Sequence, residues 1–233
     1  MSDSHITSER NSDQNPMSQH YLGKSGEDYF AWQQGAAFRA GRLQARMFGD
    51  YVKSEDNVLD FGCGGGFFLK AIHCSTKSGV EVNPAARKTC IENGIPATGE
   101  ISTVPTSSVS LVTSIHSLEH VLQPLTVLEE LHRVLHHGGR LLVCTPIDHW
   151  WTFRRYERND IHHHLFTWTA QNLGNLISEA GFEVESIKTW TFAWPPRWAH
   201  FFERIPWPVF AAVCQLWGWV SHSRQLVALA RKA

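Results

Sequence analysis

An acid followed by alternate glycines, and fourteen histidines in 233 residues, are the features of this chain that could do chemistry. The stretch Val58-Leu59-Asp60-Phe61-Gly62-Cys63-Gly64-Gly65-Gly66-Phe67-Phe68-Leu69 reads as a buried strand, a glycine turn and the first turn of a helix. Glycines at 62, 64 and 66 let the backbone take positive φ and let a ligand approach with no Cβ in the way. The helix that follows presents unpaired N–H groups to it. Such a turn suits a nucleotide-type cofactor. Its spacing discriminates between cofactors, because the dinucleotide pattern G-x-G-x-x-G needs a third glycine at 67 or 69, where this chain has Phe67 and Leu69. A nicotinamide oxidoreductase is disfavoured on that ground.

Further segments follow in order. Ser78-Gly79-Val80-Glu81-Val82-Asn83-Pro84 is a strand ending in an acid and running into a helix opened by proline. Then come Gly99-Glu100-Ile101 with Val104-Pro105, Leu111-Val112-Thr113-Ser114-Ile115-His116-Ser117-Leu118-Glu119-His120-Val121, and Arg133-Val134-Leu135-His136-His137-Gly138-Gly139-Arg140-Leu141. Together with Asp60-x-Gly-x-Gly-x-Gly, this series resembles the class I methyltransferases that use S-adenosylmethionine. The resemblance implies a Rossmann-like, doubly wound, seven-stranded, mostly parallel sheet with helices on both faces, and S-adenosylmethionine as cofactor. It implies cofactor contacts from Asp60, Gly62, Cys63, Gly64, Gly66, Glu81, Asn83, Glu100, Ile101, Ser114 and His116. Glu81 would take the two ribose hydroxyls, which one carboxylate can accept together. Glu100 stands where the family usually has Asp on the adenine amino group, and is longer.

The histidines offer either metal ligation or base chemistry. His162-His163-His164, and the i,i+4 pairs His116 with His120 and His132 with His136, invite a metal reading. It is disfavoured: consecutive histidines in an extended segment point to opposite sides, and no cysteine or His-Glu-x-x-His partner completes a site, so no metal is assigned. Methyl transfer from a sulfonium needs no metal in principle, because the leaving group departs neutral. A hydroxyl nucleophile does benefit from a base with a pKa near neutrality. His116, His120, His163 and His164 are the candidates, the first two just after the strand near 109–115. His163 and His164 precede Leu165-Phe166-Thr167-Trp168, which resembles the entry to a late helix in these enzymes, where a histidine can serve only as a cap.

The elements that must position these residues can be read from the pattern. Strands near 57–61, 78–82, 109–115, 139–145 and 182–190 alternate with helices, and 224–230 reads as a closing strand. Leu125, Leu128, Leu131 and Leu135 predict a helix opened by Pro124 and stopped by Gly138-Gly139. A second is predicted from about Thr169 to Ala180, ended by Gly181. The organisation is then a disordered leader (1–20), a helical lid segment (21–55), the cofactor-binding core (56–191), a Trp-rich insertion (192–221) and a closing strand and tail (222–233). The lid segment carries Tyr21, Tyr29, Phe30, Trp32, Gln33 and Phe38, and a helix packed on the sheet edge is the other reading of it.

Composition bounds the function. With 42% hydrophobic and 18% charged residues the chain is an ordinary globular protein, and a net charge of -1 gives no general pull toward nucleic acid. Cysteines 63, 74, 90, 144 and 214 are odd in number and scattered, which fits a reduced, cytoplasmic compartment. Six of the ten tryptophans fall between 190 and 219, and the insertion, with Asn159 to Trp168, resembles a bacterial subgroup associated with surface-saccharide genes. Residues 208–220 are too short to span a bilayer, which takes about 20 apolar residues. They suit either a peripheral membrane contact through 194–220 or a cover for the acceptor, the sheet or another subunit. The function expected is methyl transfer to a small-molecule or saccharide-type acceptor, at oxygen. A non-catalytic binding or scaffold protein of the same fold is the alternative.

Overall fold

A computed structural model describes residues 18–148, 155–158, 160–194 and 205–233. Gly23–Phe48 (α1) precedes an alternation of strands and helices: Asn57–Phe61 (β1), Phe67–Ala71 (α2), Thr76–Val80 (β2), Pro84–Glu92 (α3), Ala97–Thr98 (β3), Val109–Ile115 (β4), Pro124–Val134 (α4), Leu135–Ile147 (β5), Ala170–Glu179 (α5), Phe182–Thr191 (β6), Trp207–Val220 (α6) and Arg224–Lys232 (β7). The strands make one sheet in the order β3-β2-β1-β4-β5-β7-β6. All pairs are parallel except those of β7, which runs antiparallel to both β5 and β6. The doubly wound, mostly parallel sheet expected from the sequence is present.

Both faces are covered because both faces are apolar. Leu59, Phe61, Val112, Leu141 and Val143 pack with α4 and α5. Their neighbours in sequence, Val58, Leu111, Leu142 and Cys144, pack on the other side with Met47, Phe48, Phe68, Leu69 and Cys90. The period of two along each strand thus feeds two separate cores, and the strands read as near-continuous apolar runs.

Two boundaries differ from the pattern. The α4 stripe is Val127, Leu128, Leu131 and Val134, with Leu125 exposed. Leu135 already has extended geometry (φ −72, ψ 139), so the helix stops at Val134, short of Gly138-Gly139. The amides of Ser107 and Ser108 take the Arg133 and Val134 carbonyls at 3.1 and 2.8 Å, drawing that end toward the loop before β4. The glycines lie inside β5, at the irregularity in its pairing with β4. Strand β2 occupies 76–80 rather than 78–82, which leaves Glu81 just beyond its carboxyl end.

The ends of α1 and α6 are held by small residues. A Cβ on Gly41 would lie 2.5 Å from the Phe67 backbone carbon, so α1 crosses the start of α2 at a distance only glycine permits. Gly218 lets α6 approach the Phe192 backbone in the same way. Residues 1–17 of the expected leader and positions 195–204 of the expected insertion, including Arg197, Trp198 and Arg204, lie outside the described residues; residues 18–20, expected to be disordered, are instead ordered, with a short 3-10 turn at Gln19–Tyr21 and His20 stacked on His163.

Candidate active site

The loops after β1, β2 and β4 meet at the carboxyl edge of the sheet, where the strand order reverses. They enclose a pocket of about 210 Å³ lined by Asp60, the glycine turn, Glu81, Asn83 and the His116–His120 loop, and closed above by Tyr21, Tyr29, Phe30, Gln33 and Gln44 of the N-terminal segment. That segment lines the pocket while packing on α2 and α3. A second pocket of the same size, lined by Phe48, Phe192, Ala193, Trp194 and Gln225, shares Gln44, Ile115 and His116 with the first.

Each wall follows from local structure. Gly62, Gly64 and Gly66 all have positive φ, 76, 52 and 72 degrees. A Cβ at Gly62 would strike Ser117 Oγ, and one at Gly66 would strike Cys90 Sγ, whereas at Gly64 it would meet nothing within 4 Å. Gly62 and Gly66 therefore serve the packing of loops, and Gly64 keeps the pocket face bare. Glu81 accepts from the Gly64 amide through Oε2 and from the Asn83 amide through Oε1, both at 2.8 Å. Burial raises its pKa, and those two amides pull the other way. Its remaining lone pairs can accept further donors. Asn83 caps α3 with its side-chain oxygen and donates to the Gly26 carbonyl at 2.7 Å, tying α1 to the cradle. Asp60 receives Thr113 Oγ1 at 2.6 Å. Burial pushes its carboxyl up to about 7, against the Thr113 bond and helped by the nearby Glu81 charge.

The residues expected to touch cofactor divide accordingly. Asp60, Gly62, Cys63, Gly64, Glu81, Asn83 and His116 line the pocket. Gly66, Glu100, Ile101 and Ser114 are not among its lining: Gly66 is the N-cap of α2, Ile101 is in the core, Glu100 is exposed, and Ser114 Oγ is buried with no hydrogen-bond partner among the described residues. Ser114 lies within β4, where both faces are packed, one step too early to reach the loop.

The histidines also part company. His116, at φ 55, lines both pockets, and its Nε2 meets Gln225 Oε1 at 3.2 Å. With that nitrogen as donor, Nδ1 carries the lone pair. Its side chain is 44% exposed toward the pockets, and desolvation by the walls around the ring lowers its pKa, so the imidazole is neutral. His120 is buried, its Nδ1 bonded to the Tyr21 hydroxyl at 2.7 Å, and burial pushes it down to about 3. That is a poor match for a general base at neutral pH. His163 stacks on His20 and does not line either pocket. His164 Nδ1 meets Asp148 Oδ1 at 2.9 Å; burial would lower its pKa, but Asp148 and Glu119 outweigh it and the net shift is upward.

One residue went unmarked in the sequence. Glu119 is buried beside His120, and burial lifts its carboxyl to about 7. Donor atoms of Glu119, His120 and His164 lie within 4.8 Å of one another. This glutamate is adjacent in sequence to one histidine and is brought to the other only by the fold. Its one sequence signal is an acid set between Leu118 and Val121 in an apolar run.

A sheet with an antiparallel β7 between β5 and β6, and a glycine-turn and acid cradle at its switch point, define a class I methyltransferase fold. A family model described as a methyltransferase domain matches residues 32–187, and the chain belongs to that family, whose members and fold imply S-adenosylmethionine as cofactor. Among solved structures, an S-adenosylmethionine-dependent methyltransferase of Thermotoga maritima is 19% identical (TM-score 0.63), covering 93% of this chain and 100% of its own. One from Archaeoglobus fulgidus is 16% identical (TM-score 0.61; 88% and 99%). A structure of Haloferax volcanii Trm112, a methyltransferase activator, with its methyltransferase partner matches at 17% (TM-score 0.62; 88% and 95%). A comparison with curated proteins gives no significant match. The pocket fits the cofactor: Gly64 keeps a Cβ-free surface toward it, and Glu81 sits with both oxygens positioned by backbone amides.

Proposed function

We propose that this S-adenosylmethionine-dependent methyltransferase acts on a small-molecule or saccharide-type acceptor, at oxygen. The observation that carries the reading is the shared wall: His116 stands between the cradle pocket and a second pocket floored by Phe192 and Trp194, with amides from Gln44 and Gln225 at its edge. Aromatic faces with a few convergent amides suit a ring bearing hydroxyls.

Gly64 and Glu81 would hold the adenosyl portion, with Asp60 below the turn. S-adenosylmethionine supplies an electrophilic methyl on a sulfonium. The chain's own part is alignment, exclusion of water and the handling of one proton. Tyr21, Tyr29 and Phe30 cover the cradle, and burial lifts the Tyr29 hydroxyl to about 12, so it stays neutral. Gln225 fixes the His116 ring so that Nδ1 can accept the acceptor's hydroxyl proton.

The outer face of α6 supports a peripheral contact with membrane, where a lipid-linked sugar would be presented. Leu216 and Trp219 are 68% and 66% exposed, with Val209 and Val220 beside them. Among the described residues no helix is long and apolar enough to cross a membrane. A cytoplasmic setting agrees with five free cysteines. The test is release of the demethylated cofactor on incubation with sugar nucleotides, lipid-linked sugars, and small amines as controls. Turnover with hydroxyl acceptors supports the reading, and turnover only with amines overturns it.

A further inference from the structure

Glu119 has no part in the mechanism above, yet its setting is costly. The side chain is 1% exposed, and neither carboxylate oxygen has a hydrogen-bond partner among the described residues. A buried carboxyl without donors loses its hydration with nothing in exchange. The groups that face it are histidines: Oε1 lies 3.8 Å from His120 Nε2 and 4.0 Å from His116 Nδ1.

The surrounding bonds hold these side chains as metal ligands are held. A ligating imidazole is ordinarily oriented through its other nitrogen by an oxygen. The Tyr21 hydroxyl holds His120 Nδ1 at 2.7 Å, which turns Nε2 toward Glu119. Asp148 holds His164 Nδ1 at 2.9 Å, leaving Nε2 to ligate. The main chain fixes the encounter as well. The Glu119 carbonyl accepts from the amides of Leu165 and Phe166 at 2.9 and 3.2 Å, and Tyr21 donates to the His162 carbonyl at 2.7 Å. The three donor atoms lie within 4.8 Å of one another. In a tetrahedral site with ~2.1 Å bonds they would stand roughly 3.4 Å apart. Side-chain movement of about an ångström closes that gap.

We propose that Glu119, His120 and His164 bind one divalent transition-metal ion, with Tyr21 and Asp148 as its positioning residues. Two imidazoles and one carboxylate suit zinc, iron(II) or manganese and leave a coordination position open. The site borders the cradle pocket through His120, with His116 beside it; Glu119 and His164 are not among that pocket's lining. Resting on the oxygen-acceptor reading, the ion takes the acceptor's hydroxyl oxygen and acidifies it. The proton passes to His116. The oxygen lone pair forms the new O–C bond, while the pair of the breaking C–S bond leaves on sulfur.

The test uses the full chain stripped with a chelator and titrated with cobalt(II) and zinc. One equivalent of cobalt per chain should develop visible d–d absorption. In Glu119→Gln and His164→Ala the affinity should fall by more than the ~10–100-fold that loss of an outer-shell partner costs, while calorimetric binding of S-adenosylmethionine shows that the variants still fold. Absence of stoichiometric cobalt in the wild type, or equal binding by both variants, overturns the site. Metal binding that is intact, with methyl transfer only to amines, overturns the acceptor reading and leaves the site standing. Hydroxyl transfer without any metal uptake does the reverse.

Discussion

At the scale of the residue, the account rests on what burial does to a few ionisable groups. Asp60 is protonated in the folded apo protein up to about pH 7, whereas in the unfolded chain it ionises near 3.9. The folded state thus holds the extra proton between those values, and stability falls as pH rises through the window, by on the order of 4 kcal/mol. Asp60→Asn should flatten the decline in Tm from pH 5 to 8; curves that stay parallel to the wild type would remove the argument. His116 makes a different prediction. Its replacement by alanine should lower turnover by ~10²–10⁴-fold, the usual contribution of a positioned base, while the affinity for S-adenosylmethionine changes little. Loss of binding together with turnover would reassign His116 to the cofactor. The places of Asp60, Gly62, Gly64 and Glu81 on the pocket wall were legible in the sequence because each lies within a local strand–turn–helix unit. Glu119 was not, because its meaning depends on His164 arriving from 45 positions later through bonds to a backbone carbonyl.

At the scale of the element, α1 decides whether the cradle is covered. It brings Tyr29, Phe30, Gln33 and Gln44 over the pocket and crosses α2 where Gly41 meets the Phe67 backbone. Gly41→Ala should cost about 1–3 kcal/mol of stability through overpacking against rigid backbone and weaken cofactor binding, since the helix must lift away. Calorimetry and thermal unfolding on one sample check both. Unchanged binding in a destabilised variant would make α1 a packing helix only. Periodicity located α4 and α5 but misplaced the end of α4. Leu135 fits a helical stripe and a strand equally well, and the choice is made by Ser107 and Ser108, which take the last carbonyls of the helix. No window of local sequence contains that contact.

For the molecule as a whole, the sheet order is what makes one site from distant segments. Antiparallel β7 brings Gln225 against His116, and the β6–β7 connection carries α6 and the aromatic floor of the second pocket. The closing strand after the Trp-rich stretch was readable in the sequence, but which tryptophans face inward was not. Trp207 packs toward Phe210 and Phe192, while Trp219 faces outward. Vesicles containing anionic lipid should co-float with the wild type and lose it in Leu216→Ser/Trp219→Ser. Equal flotation of the variant would place any membrane contact elsewhere.

The most direct test of the central claim is calorimetric titration of S-adenosylmethionine and its demethylated product into the wild type and Glu81→Gln, with NAD as control. The account predicts saturable binding of one adenosyl ligand per chain, weakened ~10–100-fold in the variant by loss of a charged acceptor, and no heat from NAD. Folded wild type that binds neither adenosyl ligand, or a Glu81→Gln variant that binds them as tightly as the wild type, would contradict it.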